Sequence, residues 1–123
     1  MKERPTVEPW TLGAAYERCR QLHARHGRTY YLATLLLPRW KRRHVHALYG
    51  FTRYADEIVD DLDSTLDRAG QAAALGAWGE RLFAGLRGQP CQDPILPAVL
   101  HTVRAFDLDV ADFERFLHSM AMD

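Results

Sequence analysis

The stretch VHALYGFTRYADEIVDD, Val45 to Asp61, decides how the chain folds. Its last nine residues, from Arg53, hold four acids set among Tyr54, Ala55, Ile58 and Val59. On a helix turning about 100° per residue, Tyr49, Arg53, Asp56 and Asp60 recur at three- and four-residue steps and share one narrow stripe. Val45, Ala47, Leu48, Phe51, Ala55, Ile58 and Val59 cover most of the remaining circumference, which is the pattern of a helix buried inside a bundle. The acids are therefore expected to face an internal cavity.

Working outward, the same periodicity continues. Leu12, Ala15, Tyr16, Cys19, Leu22 and His26 form one stripe of a helix that begins near Thr11 and is halted by Gly27. Tyr30 to Leu37 is a compact apolar piece ended by Pro38, a residue suited to the first turn of a new helix because it has no N–H to leave unpaired. That helix is expected to run to about Asp61. Ser64 with Asp67 resembles a capping box for a third long helix, with Leu66, Ala69, Ala73, Leu82 and Leu86 on its buried side and Gly70, Gly76 and Gly79 weakening it. The segment GQPCQDP, Gly88 to Pro94, breaks the pattern. Asp93-Pro94 opens a helix with Ile95, Leu96, Val99, Leu100 and Val103 as its stripe, and Asp109 caps a last one carrying Phe113, Phe116, Leu117 and Met120. No segment shows a strand period, an internal repeat or low complexity. The fold class is all-α, a helical bundle, read as one unit over residues 1–123.

Composition narrows the function classes. Lys plus Arg and Asp plus Glu are equal at 16 each in 123 residues, so there is no overall field to attract nucleic acid or an anionic membrane. The opening MKERPTVEPW lacks the apolar core of a signal peptide, and the longest apolar run, around Leu35 to Leu37, is far too short to span a bilayer. A cytoplasmic protein with no transmembrane segment is expected, with peripheral membrane contact left open. Cys19 and Cys91 fit neither a disulfide framework nor zinc-ligand spacing and read as free thiols. His44 and His46, two residues apart on a helix, point in different directions, so a solvated or capping use is expected rather than a metal pair. Arg39, Lys41, Arg42 and Arg43 read as the exposed start of a helix, and Trp10, Trp40 and Trp78 as packing or surface anchors rather than a stacking platform for nucleic acid.

The Asp56–Asp60 pair carries the chemistry. Two carboxylates one turn apart in an apolar setting repel and lose hydration, unless a cation sits between them or their protonation shifts. Hard oxygen ligands favour Mg²⁺, which combines one or two carboxylates with substrate phosphates, so the spacing invites a diphosphate ligand. Arg53, one turn before Asp56, offers a planar fork to phosphate oxygens. The competing interpretation is a solvated face where the helix leaves the core.

Beyond the stripe stands HGRTYYLATLLLP, His26 to Pro38, and from about Cys19 to Leu62 the chain resembles, without a gap, the N-terminal part of the squalene/phytoene synthase family. His26, Gly27-Arg28-Thr29-Tyr30, Leu37-Pro38, Tyr49, Arg53 and Asp56-Glu57-x-x-Asp60 carry the resemblance. It implies an isoprenoid-synthase-type helical fold in which Asp56 and Asp60 bind Mg²⁺, with Mn²⁺ as a substitute. Arg53 and Tyr49 would help hold a prenyl diphosphate, and His26, Arg28 and Thr29 would approach a diphosphate oxygen. Gly27 lacks the hydroxyl that the family's first serine provides, and Glu57 replaces the commoner second aspartate.

The activity implied is head-to-head condensation of two farnesyl or geranylgeranyl diphosphates in isoprenoid, carotenoid or hopanoid biosynthesis. A cyclopropylcarbinyl diphosphate then rearranges, either taking hydride from NADPH to give squalene or losing a proton to give phytoene. Nothing in the residues selects between these outcomes or sets the oligomeric state. The family's second Asp-rich motif has no counterpart before Asp123, so the 123 residues read as an N-terminal fragment or truncated product, expected to be inactive alone and to self-associate. Two other classes remain: a non-enzymatic helical interaction module derived from the family, and a terpene cyclase or chain-elongating prenyl synthase, against which the Tyr-x-x-x-Arg-x-x-Asp register argues.

Overall fold

The computed structural model describes residues 11–60 and 65–122, in which six helices and no strands occur. They are α1 (Leu12–His26), α2 (Arg28–Thr34), α3 (Arg39–Asp60), α4 (Arg68–Leu86), α5 (Leu96–Phe106) and α6 (Val110–Met122). Trp10, Asp61, Asp63 and Ser64 lie outside the described residues. The all-α expectation holds, and no described helix is long and apolar enough to cross a membrane. Cys19 and Cys91 are both free.

Local chemistry sets most helix ends. Thr11 Oγ1 accepts a hydrogen bond from Ala14 N, satisfying one of the free donors at the start of α1, and Gly27 ends that helix with its N–H on His23 O. Asp67 caps α4 through Gly70 N. Asp93 is buried and caps α5 twice, accepting from Ile95 N at 2.7 Å and Leu96 N at 2.8 Å, while Arg81 of α4 pairs with its other oxygen at 2.7 Å. Asp109 accepts from Ala111 N at the start of α6. In the basic segment opening α3, Arg42 reaches back to donate to Leu37 O and Leu35 O, tying off the carbonyls after α2.

α3 is the central element, packed on every other helix. Its buried side is His44, His46, Ala47, Gly50, Phe51 and Ala55. The expectation that α3 is enclosed all round is corrected. Val45, Leu48, Ile58 and Val59 are only half-buried, Tyr54, Glu57 and Asp60 are exposed, and Asp56 looks onto an open groove rather than an internal cavity. The described neighbours wrap one side of the helix and leave the opposite stripe partly open.

The buried side of α4 also differs from the sequence expectation. Leu66, Ala69 and Ala73 are exposed, and Leu75, Trp78, Gly79, Leu82 and Gly85 face the core. Two of these are glycines because other helices press against them. A Cβ on Gly85 would lie 2.7 Å from Leu100 Cδ1 of α5, and one on Gly79 would collide with Leu117 of α6. Gly79, expected only to weaken α4, is thus a close-contact point that admits α6.

The histidines overturn a second expectation. His44 and His46 are buried rather than solvated. Tyr16 of α1 is the hub of a buried polar network, its hydroxyl lying 3.2 Å from His44 Nδ1, 2.7 Å from His101 Nδ1 and 3.0 Å from Thr102 Oγ1. On the other side of α3, His46 Nδ1 lies 2.9 Å from His23 Nδ1. Burial lowers the pKa of His23 and His44 and, with the neighbouring His23 and the Arg20 cation, carries His46 down to about 4 from its usual 6.5. Held neutral in the fold, these rings bind protons more readily in the unfolded chain. Their contribution is complete above about pH 6.5 and is lost as pH falls toward 4. The thermal midpoint is therefore expected to drop by roughly 5–10 °C between pH 7 and pH 4.5. His46→Phe should flatten that slope, and a pH-independent midpoint in differential scanning calorimetry would contradict it.

Candidate functional site

Tyr49, Thr52, Arg53 and Asp56 of α3 and Phe116 and Met120 of α6 line a groove of about 220 Å³. The helical register places the Tyr49–Arg53–Asp56 stripe along it, and the apolar pair from α6 forms the facing wall. Arg53 is held by its own helix: Nη1 lies 3.6 Å from Asp56 Oδ2 and Nε lies 3.3 Å from Glu57 Oε2. Partial burial raises the Asp56 carboxyl, a hydrogen bond to Asp60 and the charge of Asp60 raise it further, and Arg53 acts in the opposite direction. Asp56 and Asp60 are thus close enough to contest a proton.

Arg53 also borders a second groove, of about 620 Å³, on its other side. There it meets His26, Arg25 and Arg18 of α1, beside Glu57. Desolvation lowers the pKa of His26, and the surrounding Arg53, Arg25 and Arg18 cations add to the effect. Glu57, whose role the sequence leaves open, is the acid that pairs with Arg53 between the two grooves.

The structure therefore brings Tyr49, Arg53, Asp56 and Asp60 together, and joins His26 to Arg53 through the basic groove. Arg28 and Thr29 are exposed at the start of α2 and line neither groove. Gly27 has a local cause: a Cβ there would come within 2.8 Å of Tyr49 Cε1 and 3.1 Å of His23 Cδ2. A serine hydroxyl at this position would displace the Tyr49 ring, so the bare glycine and the Tyr49 placement go together. Sequence reasoning missed Thr52, Phe116 and Met120 as lining residues. It also missed His23, which stacks on Tyr49 with ring centroids 4.3 Å apart and planes 13° apart. The four-residue step from Cys19 to His23 was its only signal.

Whether this site suits a divalent cation is decided by its donors. Asp56 and Asp60 supply hard oxygens one turn apart, and the upward push on Asp56 marks a place where a cation would relieve repulsion. Among the described residues no group of three or more His, Cys, Asp or Glu side chains could hold a metal by itself. The pair fits a cation that completes its shell with substrate phosphate and water, as Mg²⁺ does.

An all-α bundle with a Tyr-Arg-Asp-Asp stripe on its central helix is the class that fold and site define. The squalene/phytoene synthase family model matches residues 23–123, and the chain belongs to that family. It is 37% identical over 98% of its length to a 15-cis-phytoene synthase of Synechococcus elongatus. It is 36% identical over 99% of its length to a 15-cis-phytoene synthase of Synechocystis. Against phytoene synthase 1, chloroplastic, of Arabidopsis thaliana the identity is 34% over 91% of the chain. The chain spans 38%, 35% and 26% of these three proteins, respectively. No solved structure matches it significantly.

Proposed function

We propose that this chain carries the first metal- and diphosphate-binding helix of a phytoene-forming, head-to-head prenyl diphosphate synthase. The observation that carries this reading is the alignment of Tyr49, Arg53 and Asp56 along one groove of α3, with the exposed Asp60 one turn on and near enough to Asp56 to perturb it. Asp56 and Asp60 would hold Mg²⁺, or Mn²⁺ in its place. When bound, the cation supplies Lewis-acid neutralisation of the departing diphosphate. Arg53 presents its guanidinium to diphosphate oxygens from between the two grooves, and His26 adds a hydrogen-bonding ring on the basic side. Tyr49 closes the groove beside Arg53, and Phe116 and Met120 give the prenyl chain an apolar wall that keeps water from a developing allylic cation. Arg28 and Thr29, exposed beside Gly27, would reach a diphosphate oxygen only at the outer edge of the site.

The names of the relatives favour phytoene over squalene, hence geranylgeranyl diphosphate as substrate and proton loss as the final step, without NADPH. A cytoplasmic protein touching the membrane surface, where such an apolar product would be delivered, accords with the absence of a membrane-crossing helix among the described residues. Extended to the length of its relatives, the chain is expected to consume geranylgeranyl diphosphate and release inorganic pyrophosphate only with Mg²⁺ or Mn²⁺ present. Turnover persisting in excess chelator would remove the metal role. Failure to consume either geranylgeranyl or farnesyl diphosphate with metal present would remove the reaction class.

A further inference from the structure

Away from the carboxylates, α1, α2 and α3 enclose a cluster of four rings. His23 Nδ1 and His46 Nδ1 are 2.9 Å apart, and both side chains are buried. Two imidazole nitrogens at that separation share one proton: one ring donates, the other accepts, and neither carries a charge. His23 lies nearly parallel to Tyr49 at 4.3 Å, and His46 stacks on Tyr31 of α2 at 5.4 Å. Tyr31 in turn meets His23 edge-on at 5.8 Å. The order is thus Tyr49 against His23, His23 bonded to His46, and His46 against Tyr31.

We propose that His23 and His46 are positioning residues, whose single shared proton fixes the plane of His23 and through it the Tyr49 ring that borders the Arg53–Asp56 groove. This rests on the diphosphate-binding reading of that groove. Apolar residues would fill the same volume at lower desolvation cost, but they would leave the ring behind Tyr49 free to turn about its own bonds. The Nδ1–Nδ1 bond removes that freedom, since rotation of either imidazole breaks it. His23 Nε2, buried with no hydrogen-bond partner among the described residues, shows the other side of the balance. The ring is oriented by one nitrogen and the stack, at the cost of leaving the second unsatisfied. Gly27 completes the device, because a Cβ there would strike both His23 and Tyr49.

The test begins with the unsubstituted protein carrying ¹⁵N-labelled histidine. A through-hydrogen-bond ¹⁵N–¹⁵N coupling between the two Nδ1 nuclei is expected, along with Tyr49 ring resonances shifted upfield by the stacked imidazole. His46→Phe keeps the ring that stacks on Tyr31 and removes the bond to His23. It should abolish the Tyr49 shift and weaken Mg²⁺-dependent binding of inorganic pyrophosphate about tenfold, with helical circular dichroism retained. His46→Asn, which returns an amide near the position of Nδ1, should recover most of both. Absence of the coupling in the unsubstituted protein overturns the inference whether or not a variant folds. So does a His46→Phe protein with an unchanged Tyr49 shift and affinity. If the unsubstituted protein binds no pyrophosphate with Mg²⁺, the functional reading fails separately, and the Tyr49 shift still decides the positioning role.

Discussion

Asp60→Asn and Asp56→Asn, made in the chain extended to the length of its relatives, are each expected to lose at least about a hundredfold in turnover of prenyl diphosphate while the helices stay formed. Asparagine keeps the volume and removes the charge that would hold a divalent cation. No loss of stability should accompany the loss of rate. Burial and the adjacent Asp60 push the Asp56 carboxyl upward, so ionising it is less favourable in the fold than in the unfolded chain. Relieving one of the two charges should leave the thermal midpoint of the metal-free protein unchanged or higher. Arg53→Lys belongs to the same unit: a point charge cannot reproduce the planar fork that reaches both Asp56 and Glu57, and turnover should fall although the formal charge is kept. The open geometry gives the solvated-face alternative a definite form. The Asp56 side chain is 44% exposed, and on that alternative all three variants would turn over normally, with stability changes within about 0.5 kcal/mol. Steady-state kinetics and thermal midpoints on the three proteins decide between them, and near-normal rates from both asparagine variants would sink the metal site.

What was legible in the sequence was local. The caps at Thr11, Asp93 and Asp109 act within three residues, and the Tyr49–Asp60 stripe depends only on helical repeat, so both can be read without knowing the neighbours. The expected Ser64–Asp67 capping box differs from the structure, where Asp67 is itself the N-cap of α4 and accepts from Gly70 N. The rest depends on which helix lies opposite. Eight of the eleven residues 69–79 of α4 are alanine or glycine, which supply little contrast between apolar and polar faces, so only Leu75 and Trp78 mark its rotation there. Gly79 and Gly85 face inward only because Leu117 and Leu100 need their space. The solvated or capping use expected of His44 and His46 fails because a histidine carries no burial signal of its own. Their partners are distant in sequence: Thr102 is 58 residues from His44, and His23 is 23 from His46. Arg28 and Thr29 show the same limit within the site. Their segment matches the family pattern, yet the backbone turn at Gly27 sends them away from both grooves.

Trp78→Ala is expected to produce the largest loss of stability. Trp78 is 2% exposed and joins α4 to α3 in two ways. Its ring packs on Phe51 at 5.5 Å and on Tyr54 at 4.1 Å, and its indole N–H donates to Phe51 O at 3.3 Å. Alanine would open a cavity and remove the largest aromatic contact of the core, costing about 3–5 kcal/mol, which corresponds to roughly 10–20 °C in thermal midpoint for a domain of this size. Trp78→Phe keeps an aromatic ring and loses only part of the volume and the N–H donor, so its cost should be less than half as large. Phe51 and Ala55 form the side of α3 that Trp78 supports, and Arg53 and Asp56 extend from the same turns. Trp78→Ala should therefore lose fold and pyrophosphate binding together, whereas Asp60→Asn loses turnover with the fold intact. Chemical denaturation of the two variants beside the unsubstituted protein separates these losses. A Trp78→Ala protein destabilised by less than about 1 kcal/mol would mean that α4 does not pack on α3 through this residue.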